Sequence, residues 1–526
     1  MEVKTLCPVT WSMLSSEDQL RRRDALAHGT DAREYVRSFL PADSWLPDLA
    51  AIEQANYQLR LQPQVAGLDY SHDKTRLNPS LEVVEVAWRG LLDVIEGKRI
   101  EPQPGVEFLL FWRHPRSGVF RSEAASPADL LALKMIVEER DPRVVADANT
   151  QPVGTIDRMI EKAMLRGLLL RPPSRLTRLA EDFFIGSGIS PKFLSSPAFT
   201  LQWHITQKCD LHCRHCYDRS DQADIALDQG VRLLDQMRDF CLNHNVYGQV
   251  SFSGGNPFLH PDFFALYRAA VERNLMVGIL GNPVSKERLQ NLIAIEPPAF
   301  YQVSLEGLKD HNDEIRGAGS FEAVVSFLQI LQNSQVPSRV MLTLTEENIA
   351  EVLPLAEFLR DKADLFTYNR LSMVGEGAVL QSAFGRDYQS FIRDYIEARK
   401  NNPIMAQKDN LINIERYNQG LDLFGGCTGF GCGAAFNFVA ILPNGEVHAC
   451  RKYPSPIGNI HHNSLEEIYY SVAARAYRKG PLECADCHLR LVCGGCPAVT
   501  YGCGSPPLDK KDPACFVSTQ KIEVNQ

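Results

Sequence analysis

Three cysteines lie within a short segment of the sequence, ITQKCDLHCRHCYD (residues 205–218). Cys209, Cys213 and Cys216 are separated by three and by two residues, with a histidine in each gap. A closed zinc site takes four ligands in a tetrahedron, and a [4Fe–4S] cluster is usually held by four cysteines. Three cysteines on one loop can bind three of the irons and leave the fourth with an open coordination position. The segment therefore indicates a reactive iron–sulfur centre, and the alternative is a zinc knuckle completed by one of the histidines.

A second group of cysteines lies late in the sequence. Nine of the fourteen cysteines fall between Cys427 and Cys515, and they include the segment CADCHLRLVCGGC. Clustered cysteines in a chain without an export signal indicate metal binding or catalysis more often than disulfides. Because C-x2-C spacings occur at zinc sites and at iron–sulfur sites, a pair of zinc ribbons is the alternative here. Cys241 stands apart and is predicted to be a core residue on the apolar side of a helix.

The cysteines need a scaffold, and residues 201–400 alternate short β-rich runs with helical patterns. The six β-rich runs are FTLQWHI, GQVSFS, LMVGIL, FYQVSL, SRVMLTL and LFTYNRLSM. Strands that alternate with helices pair in parallel, with right-handed crossovers. The pattern predicts an α/β fold, a (β/α)6 partial TIM barrel over residues 199–400. The three-cysteine loop follows the first strand, at the carboxyl end where such folds place their functional groups.

The first part of the chain is organised differently. Residues 1–94 are predicted to form a helical N-terminal region. Residues 95–172 are predicted to form a winged-helix domain, in which VEFLLFWRHPRSGVFRS is a hairpin that turns at HPRSG, with two helical patterns after it. Residues 173–198 are rich in Pro, Gly and Ser and are predicted to be a linker. Residues 401–526 are predicted to form the cysteine-rich C-terminal domain.

Composition and charge exclude several classes of function. The chain has 526 residues, of which 44% are hydrophobic and 23% charged, the balance of a soluble globular protein with several domains. Its net charge of −9 argues against nucleic-acid binding, which needs clustered Lys and Arg. It contains no apolar run of about eighteen residues and no signal-peptide pattern at its start. We therefore expect a cytoplasmic protein that binds neither membranes nor nucleic acids.

The segment CDLHCRHC resembles the CxxxCxxC signature of the radical S-adenosylmethionine (radical SAM) enzymes. The resemblance implies that Cys209, Cys213 and Cys216 bind a [4Fe–4S] cluster whose fourth iron chelates S-adenosyl-L-methionine (SAM) through its amino and carboxylate groups. In that family the reduced cluster passes one electron to the sulfonium, and homolysis gives a 5′-deoxyadenosyl radical that takes a hydrogen atom from the substrate. The protein supplies orientation and excludes water.

Two further motifs resemble those with which the family binds SAM. SFSGGNP follows the second predicted strand and resembles the GGEP motif, which implies that Gly254 and Gly255 let the backbone approach the methionine amino group. Asn256 stands where the family has Glu. QVSLEGLKDHNDEIRG, at the fourth predicted strand, resembles the SLDG…HD..R stretch of the family. That match implies cofactor-binding roles for Ser304, Glu306 and Arg316.

The late cysteines resemble the SPASM extension of radical SAM enzymes, with its pattern of C, G-x4-C, C-x2-C-x5-C, C and C. The one departure is that two residues rather than three separate Cys493 and Cys496. The match implies two auxiliary [4Fe–4S] clusters, and so three clusters in all. Their ligands would be Cys427, Cys432, Cys450 and Cys496 for the first and Cys484, Cys487, Cys493 and Cys515 for the second. Cys503 is left over and is expected to be an unreactive thiol.

SPASM proteins of this kind mostly modify peptides, and the overall order resembles ribosomal-peptide (RiPP) maturases of the thioether-forming and selenobiotic types. The winged-helix region resembles PqqD-like domains, which bind a leader peptide as an added strand. A structural or a DNA-binding winged helix is the alternative for that region.

The resemblance implies an oxidoreductase that acts on a ribosomally made precursor peptide and forms a thioether or other crosslink. Flavodoxin or ferredoxin is the expected electron donor. The alternatives are a protein-modifying oxidase of the sulfatase-maturing type, a peptide epimerase and, without catalysis, an iron–sulfur electron carrier. No residue stands out in the sequence as the catalytic acid or base.

Overall fold

The computed structural model describes residues 3–21, 31–61, 73–180, 183 and 189–517. The chain divides into two compact units, Met1–Pro173 and Ser174–Gln526. Within the described ranges, no helix is both long enough and apolar enough to cross a membrane.

The first unit begins with a helical layer. Its helices are α1 (Val3–Leu6), α2 (Pro8–Met13), α3 (Ser16–Arg21), α4 (Ala32–Arg37) and α5 (Leu46–Leu61). Leu49 and Ile52 on the apolar side of α5 are fully buried. The carboxylate of Glu53 accepts a hydrogen bond from the backbone N–H of Thr10 at 2.8 Å, which ties α2 to α5. Helices were predicted for this part of the chain and are present.

A three-stranded antiparallel sheet follows, in the order β2-β3-β4. The elements of this region are β1 (Arg76–Leu77), β2 (Glu82–Arg89), α6 (Leu91–Ile95), β3 (Gln103–Arg113) and β4 (Phe120–Ala124). The predicted hairpin is confirmed, because β3 and β4 pair antiparallel. The prediction that residues 1–94 are helical is wrong for β2, which pairs with β3 across the expected boundary at residue 94. Val84, Val86 and Trp88 alternate along β2 and face the core, a two-residue period that favours a strand over a helix.

Three helices and a short strand complete the first unit. They are α7 (Pro127–Val137), α8 (Pro142–Ala148), α9 (Val153–Arg166) and β5 (Leu169–Leu170), which pairs antiparallel with β1. Ser126 and Asp129 form a capping box at the start of α7, and Gly167 ends α9 with a φ of 79°. The predicted helices are present as α7 and α9, whereas α8 was not predicted.

The second unit is built on six parallel strands. They are β6 (Ala198–Thr206), β7 (Tyr247–Gly254), β8 (Met276–Leu280), β9 (Phe300–Ser304), β10 (Ser338–Leu344) and β11 (Leu365–Arg370). Each strand pairs in parallel with the next one along the chain. All six strands predicted from the sequence are therefore present, in the predicted order and direction.

Helices connect these strands, and two more helices follow the last strand. The connecting helices are α10 (Leu227–Asn243), α11 (Phe263–Val271), α12 (Lys286–Ile293), α13 (Lys309–Arg316), α14 (Ser320–Asn333) and α15 (Val352–Phe358), and the two that follow are α16 (Gly385–Arg399) and α17 (Ile412–Asn418). Cys241 on α10 is buried, as predicted for a core residue. Gly230 on the same helix packs so closely that an added Cβ would lie 2.5 Å from the side chain of Leu266.

The cysteine-rich region extends the same sheet. Its strands are β12 (Phe438–Ile441), β13 (Glu446–His448) and β14 (Pro456–Asn459), and its helices are α18 (Leu465–Tyr469), α19 (Val472–Lys479) and α20 (Pro497–Gly502). β12 pairs in parallel with β6, and β13 and β14 continue antiparallel, which gives a nine-stranded mixed sheet. Residues 199–400 and 401–526, predicted as separate domains, thus share one sheet and one compact unit.

The segment predicted to be a linker, residues 173–198, is described except for 181–182 and 184–188. Its Arg178 is buried, and the guanidinium donates a hydrogen bond to the carbonyl of Cys432 at 2.6 Å. The same guanidinium lies 4.1 Å from the centroid of the Phe436 ring. The linker prediction is therefore wrong for this stretch, because a buried cation fixes it to the cysteine-rich region.

Alternation along the parallel strands separates a core from a cavity. Leu201 and Trp203 of β6 are fully buried in the core, whereas Thr200 and Gln202 line a cavity on the other side. The same alternation runs through the other strands, so that successive side chains point to opposite faces. The cavity-facing positions are more polar than a closed core would be, which marks this face as the functional one.

Candidate functional site

A single cavity of about 880 Å³ contains most of the residues that the sequence singled out. It is lined at one place by Cys209, Cys213 and Cys216. It is lined at another by the four late cysteines Cys427, Cys432, Cys450 and Cys496. Two cysteine groups that are more than two hundred residues apart in sequence thus border the same space.

The three-cysteine loop is held by backbone hydrogen bonds. The N–H of Cys216 donates to the carbonyl of Cys213 at 3.2 Å, and the carbonyl of Cys216 accepts from Glu376 N–H at 2.8 Å. Burial raises the pKa of the Cys213 thiol, while the guanidinium of Arg316 opposes the rise. The neighbouring thiols of Cys209 and Cys216 raise the pKa of Cys213 further, because a second negative charge nearby is unfavourable. The three sulfur atoms therefore lie close enough to influence one another.

Gly254 and Gly255 bring the backbone against the start of the cysteine loop. Gly254 has a φ of +123°, and a Cβ built there would lie 2.0 Å from the carbonyl oxygen of Thr206. A Cβ on Gly255 would lie 2.1 Å from the carbonyl oxygen of Lys208. Both distances are far below van der Waals contact with backbone atoms, so only glycine fits at either position.

Arg316 is the buried cation of this end of the cavity. Its Nη1 donates to the carboxylate of Glu306 at 3.0 Å, and its Nη2 donates to the side-chain oxygen of Asn282 at 3.3 Å. Glu306 also accepts the backbone N–H of Thr343 at 2.8 Å and is not among the cavity-lining residues. Ser304 and Arg316 line the cavity. Glu306 therefore holds the Arg316 guanidinium from the side away from the cavity.

A polar network that the sequence did not reveal connects Asn256 to the cysteine loop. The amide of Asn256 donates to both carboxylate oxygens of Asp210 at 3.3 Å, and Asn282 donates to the same carboxylate. Asn256 is buried, and its side-chain oxygen accepts the N–H of Phe258. A glutamate in place of Asn256 would put two carboxylates together, so Asn256 and Asp210 fit as a pair.

The late cysteines that line the cavity form one set of four thiols, of which Cys427 is exposed and Cys432, Cys450 and Cys496 are half-buried. Burial raises the pKa of Cys432 to about 12, and the thiols of Cys427, Cys450 and Cys496 add to the rise. Burial likewise raises the pKa of Cys450 to about 12, with Cys496 and Cys427 as thiol neighbours. The four residues that the sequence pattern grouped together are therefore mutual neighbours.

The remaining late cysteines form a second set. Burial raises the pKa of Cys484 to about 11, and the thiols of Cys487 and Cys515 raise it further. Burial is also the main cause of the raised pKa of Cys493, and the thiols of Cys487 and Cys515 raise it further. Cys503 has a pKa raised by burial and by Asp512. The pKa shifts therefore link Cys484 and Cys493 each to Cys487 and Cys515, whereas no other thiol contributes to the shift of Cys503.

These thiol sets fit the charge of iron–sulfur clusters. Four thiolates close together would repel one another, and bound iron supplies the positive charge that makes them stable. Among the described residues, no three His, Cys, Asp or Glu side chains are arranged to hold a single metal ion. In a [4Fe–4S] cluster each cysteine binds a different iron, so its ligands are spread more widely. The donor chemistry of all three cysteine groups suits such clusters.

A buried ion-pair network connects the end of β11 to the segment that carries Cys496. The guanidinium of Arg370 donates to Asp512 at 2.9 Å and 2.5 Å and to Asp409 at 2.8 Å. The side chains of Arg370 and Asp512 are completely buried. Asp512 also accepts the backbone N–H of Cys496 at 2.8 Å. Arg370 at the end of β11 therefore fixes a segment that carries one of the late cysteines.

Comparison with known proteins agrees with this geometry. The family model of the Radical SAM superfamily matches residues 203–359, and that of the SPASM iron–sulfur cluster-binding domain matches residues 432–488. The chain contains a radical SAM domain followed by a SPASM iron–sulfur cluster-binding domain. A radical SAM domain uses SAM and a [4Fe–4S] cluster, and a SPASM domain binds auxiliary iron–sulfur clusters.

Several curated proteins are similar to this radical SAM enzyme. The AdoMet-dependent heme synthase of Methanosarcina barkeri is 23% identical over 339 residues, which are 60% of this chain and 95% of that protein. The antilisterial bacteriocin subtilosin biosynthesis protein AlbA of Bacillus subtilis is 26% identical over 342 residues, 61% of this chain and 71% of that protein. The mycofactocin maturase MftC of Mycolicibacterium smegmatis is 26% identical over 365 residues, 64% of this chain and 86% of that protein.

One solved structure has the same fold over a longer stretch. The crystal structure of Streptococcus suis SuiB superposes with a TM-score of 0.50 at 17% identity and covers 78% of this chain and 96% of that chain. The second unit alone makes up about two thirds of the chain, so the match extends into the first unit. The fold shared with SuiB therefore includes the second unit and part of the first.

The sequence missed the polar residues inside the sheet. Cavity-facing side chains on the strands include His204, Gln249, Gln302, Arg339 and Asn369. Burial lowers the pKa of His204 well below its usual value, and the nearby Arg451 lowers it further. A polar residue at every second position of an otherwise apolar strand is the signal that could have identified them.

We expect Gly255→Ala to weaken SAM binding by roughly 100-fold, the cost that a displacement of about 1 Å can have in an active site. The new Cβ would lie 2.1 Å from the Lys208 carbonyl oxygen and would push the start of the cysteine loop away. Equilibrium dialysis with labelled SAM measures the effect. Gly281→Ala is the matched control, since it lines the same cavity but its Cβ would come no closer than 3.3 Å to Pro257. Equal SAM affinity in both variants would show that SAM binding does not require the close contact between the Gly255 backbone and the cysteine loop.

Proposed function

We propose that this radical SAM enzyme modifies a ribosomally made precursor peptide and forms a thioether or another crosslink in it. The observation that carries the proposal is the shared cavity. The three-cysteine loop and the first set of late cysteines border the same space, so a substrate between them would contact both centres. Such an arrangement suits a net oxidation, in which a hydrogen atom leaves on one side and an electron on the other. The relatives named as a bacteriocin biosynthesis protein and as mycofactocin maturases support a peptide substrate.

We assign the cofactor ligands as the sequence pattern groups them. Cys209, Cys213 and Cys216 would hold the SAM-binding cluster. The auxiliary clusters would be held by Cys427, Cys432, Cys450 and Cys496 and by Cys484, Cys487, Cys493 and Cys515. When bound, the first cluster with SAM supplies a 5′-deoxyadenosyl radical that abstracts a hydrogen atom from the substrate.

The chain's own residues orient this chemistry. Gly254 and Gly255 would offer backbone groups to the methionine end of SAM, and Ser304 would face its polar groups from β9. Arg316, held by Glu306 at 3.0 Å, would bind the SAM carboxylate as a fixed guanidinium. Glu306 would act by positioning Arg316.

The first unit would bind the leader segment of the peptide, in the manner of a PqqD-like winged helix. Its sheet ends in β2 on one side and β4 on the other. A strand at the edge of a sheet has unpaired backbone donors and acceptors, which can pair with an added peptide strand. We propose β4 as that edge, because Arg166 of α9 pairs with Glu123 of β4 and so places a helix alongside the strand.

The remaining assignments follow from this function. We propose that the six parallel strands curve into the (β/α)6 partial barrel that such enzymes use. A cytoplasmic location would keep the thiols reduced, and flavodoxin or ferredoxin would deliver the electron.

Three alternative functions differ from this one in their product or in their substrate. A sulfatase-maturing oxidase or an epimerase would also act on a peptide but would leave no crosslink. A porphyrin substrate is suggested by relatives named AdoMet-dependent heme synthase and Fe-coproporphyrin III synthase. The first unit favours the peptide, because the heme synthase relative covers only 60% of this chain while spanning 95% of its own length.

Incubation with a peptide encoded next to the gene tests the proposal. The enzyme is reconstituted anaerobically with iron and sulfide and supplied with SAM and a reductant. We expect the peptide to lose two hydrogens in mass, with fragmentation that stops at a crosslink. A two-hydrogen loss without a crosslink would favour the oxidase, and deuterium uptake from heavy water without mass loss in ordinary water would favour epimerisation. Turnover of Fe-coproporphyrin III but of no peptide would contradict the proposal.

A further inference from the structure

The end of the cavity away from Arg316 contains cations that have no acidic partner. Arg339 on β10 lines the cavity, and its side chain makes no hydrogen bond or ion pair among the described residues. Its guanidinium lies 3.6 Å from the centroid of the Phe300 ring, which fixes the group by a cation–π contact. The ring occupies one face of the guanidinium and leaves its N–H groups available to a ligand.

Lys408 is the second cation at this place. It lines the cavity, is half-buried, and likewise makes no hydrogen bond or ion pair within the part of the chain that the structure describes. Lys408 and Arg339 line the same cavity. Burial lowers the pKa of Lys408, the thiol of Cys427 opposes that change, and the positive charges of Lys452 and Arg339 lower the pKa further. Lys452 lines the cavity too and donates to the carbonyl of Arg370 at 2.8 Å. Like charges held together in a cavity favour the binding of an anion.

The acids that line the cavity do not neutralise this group. Asp218 pairs with Arg451, and Asp409 accepts a hydrogen bond from Arg370. Asp221 is exposed in the segment that follows the cysteine loop. Arg339 therefore keeps its charge for something that enters the cavity, and Lys408 adds a second positive charge that it shares with the thiols of Cys427 and Cys450.

The SAM carboxylate is not that ligand. Arg339 pairs with Gln302 in the sheet, and its guanidinium lies over Phe300, toward the amino end of β9. Ser304, on the SAM side, lies four residues further along the same strand, which is a rise of about 13 Å. The two cationic positions thus serve opposite ends of the cavity.

We propose that Arg339 and Lys408 form a subsite for a carboxylate of the substrate, at the end of the cavity opposite SAM. The inference rests on the proposed function, because the carboxylate is that of a precursor peptide. It comes either from an Asp or Glu side chain or from the C-terminus of that peptide. The thiols of Cys427 and Cys450 also act on the charge of Lys408, so a substitution of Lys408 could change the auxiliary cluster. Arg339 is therefore the residue to substitute when substrate binding is tested.

Arginine labelling tests the subsite without any turnover. The reconstituted full-length enzyme is treated with phenylglyoxal, and labelling at each arginine is followed by peptide mapping. We expect glutarate to slow the labelling of Arg339 at least about threefold, and its neutral counterpart glutaramide to have no effect. Arg393, exposed on α16, is the internal control and should label at the same rate throughout. Equal labelling of Arg339 with glutarate and with glutaramide would overturn the proposal.

Peptide kinetics identify the source of the carboxylate. The peptide encoded next to the gene is compared with versions in which Asp and Glu are changed to Asn and Gln, or in which the C-terminus is an amide. We expect one of these versions to raise KM by roughly tenfold or more, as the loss of a charge-assisted hydrogen bond does. Arg339→Gln should raise KM by a similar factor for the native peptide and add little for the neutralised one.

The variants separate this role from a structural one. Arg339→Gln should leave iron content, the EPR signals of the reduced clusters and SAM affinity as in the wild type, and Arg393→Gln should change nothing. If Arg339→Gln raises KM equally for native and neutralised peptides, the subsite is wrong. If glutarate protects Arg339 but no peptide is turned over, the peptide function fails while the anion subsite stands.

Discussion

Replacing Cys213 with alanine is expected to lower the rate of 5′-deoxyadenosine release from SAM by at least about 100-fold, because even partners one shell beyond a metal's ligands can cost that much. Cys213 is the middle thiol of the loop, and its electrostatic neighbours are Cys209, Cys216 and Arg316. Without it, an iron of the cluster loses its protein ligand at the point where the loop meets the residues assigned to SAM. Anaerobic assay of 5′-deoxyadenosine by chromatography measures the loss.

Two controls make the result specific. Cys241→Ala removes a buried thiol on α10 that belongs to none of the three cysteine groups, and it should retain wild-type activity. Cys213→Ala should keep the iron of the two auxiliary clusters, since their thiols lie in other segments. Full SAM cleavage by Cys213→Ala would mean that the loop does not hold the reactive cluster.

Arg370→Met is expected to lower the free energy of unfolding by about 3–5 kcal/mol, the usual cost of leaving a buried charge without its partner. The substitution would strand Asp512, whose side chain is fully buried and whose pKa is kept low mainly by Arg370 against the effect of burial. Because Asp512 accepts the N–H of Cys496, the auxiliary cluster in that segment should also be lost faster. Urea unfolding followed by tryptophan fluorescence and by the visible absorbance of the clusters measures both effects.

The matched control removes a cation from an exposed pair. Lys400 pairs with Glu397 at 2.6 Å, and both side chains are more than half exposed, so Lys400→Met should change the stability by less than about 1 kcal/mol. Arg370→Met/Asp512→Leu should recover part of the lost stability, since it removes both charges. A stability of Arg370→Met equal to that of Lys400→Met would show that the buried network does not hold this region.

The sequence predicted those features that depend on local spacing. The six strands of the second unit were recognisable because each is a short β-rich run between helical patterns, and the β3–β4 hairpin because HPRSG separates two such runs. The two late thiol sets could be grouped only through the resemblance to SPASM domains, since nothing in the spacing alone decides which distant cysteines meet. Their mutual effects on thiol pKa in the structure agree with that grouping.

What the sequence did not predict depends on contacts between distant segments. In the sequence Asn256 is only a departure from the family motif, and the structure shows that its amide donates a hydrogen bond to Asp210. Glu306 was assigned to cofactor binding from its motif, and the sequence did not show that its carboxylate accepts hydrogen bonds from Arg316 and Thr343. Arg178 lay in a supposed linker, because nothing near it in sequence shows that its partner is the carbonyl of Cys432.

The most direct test of the account is the metal content and EPR spectrum of enzyme prepared without oxygen. The account predicts about twelve irons and as many labile sulfides per chain, which is four of each per cluster. It also predicts that adding SAM changes the EPR signal of one reduced cluster and leaves the others as they were. Zinc in place of iron and sulfide, or a set of signals that does not respond to SAM, would contradict it.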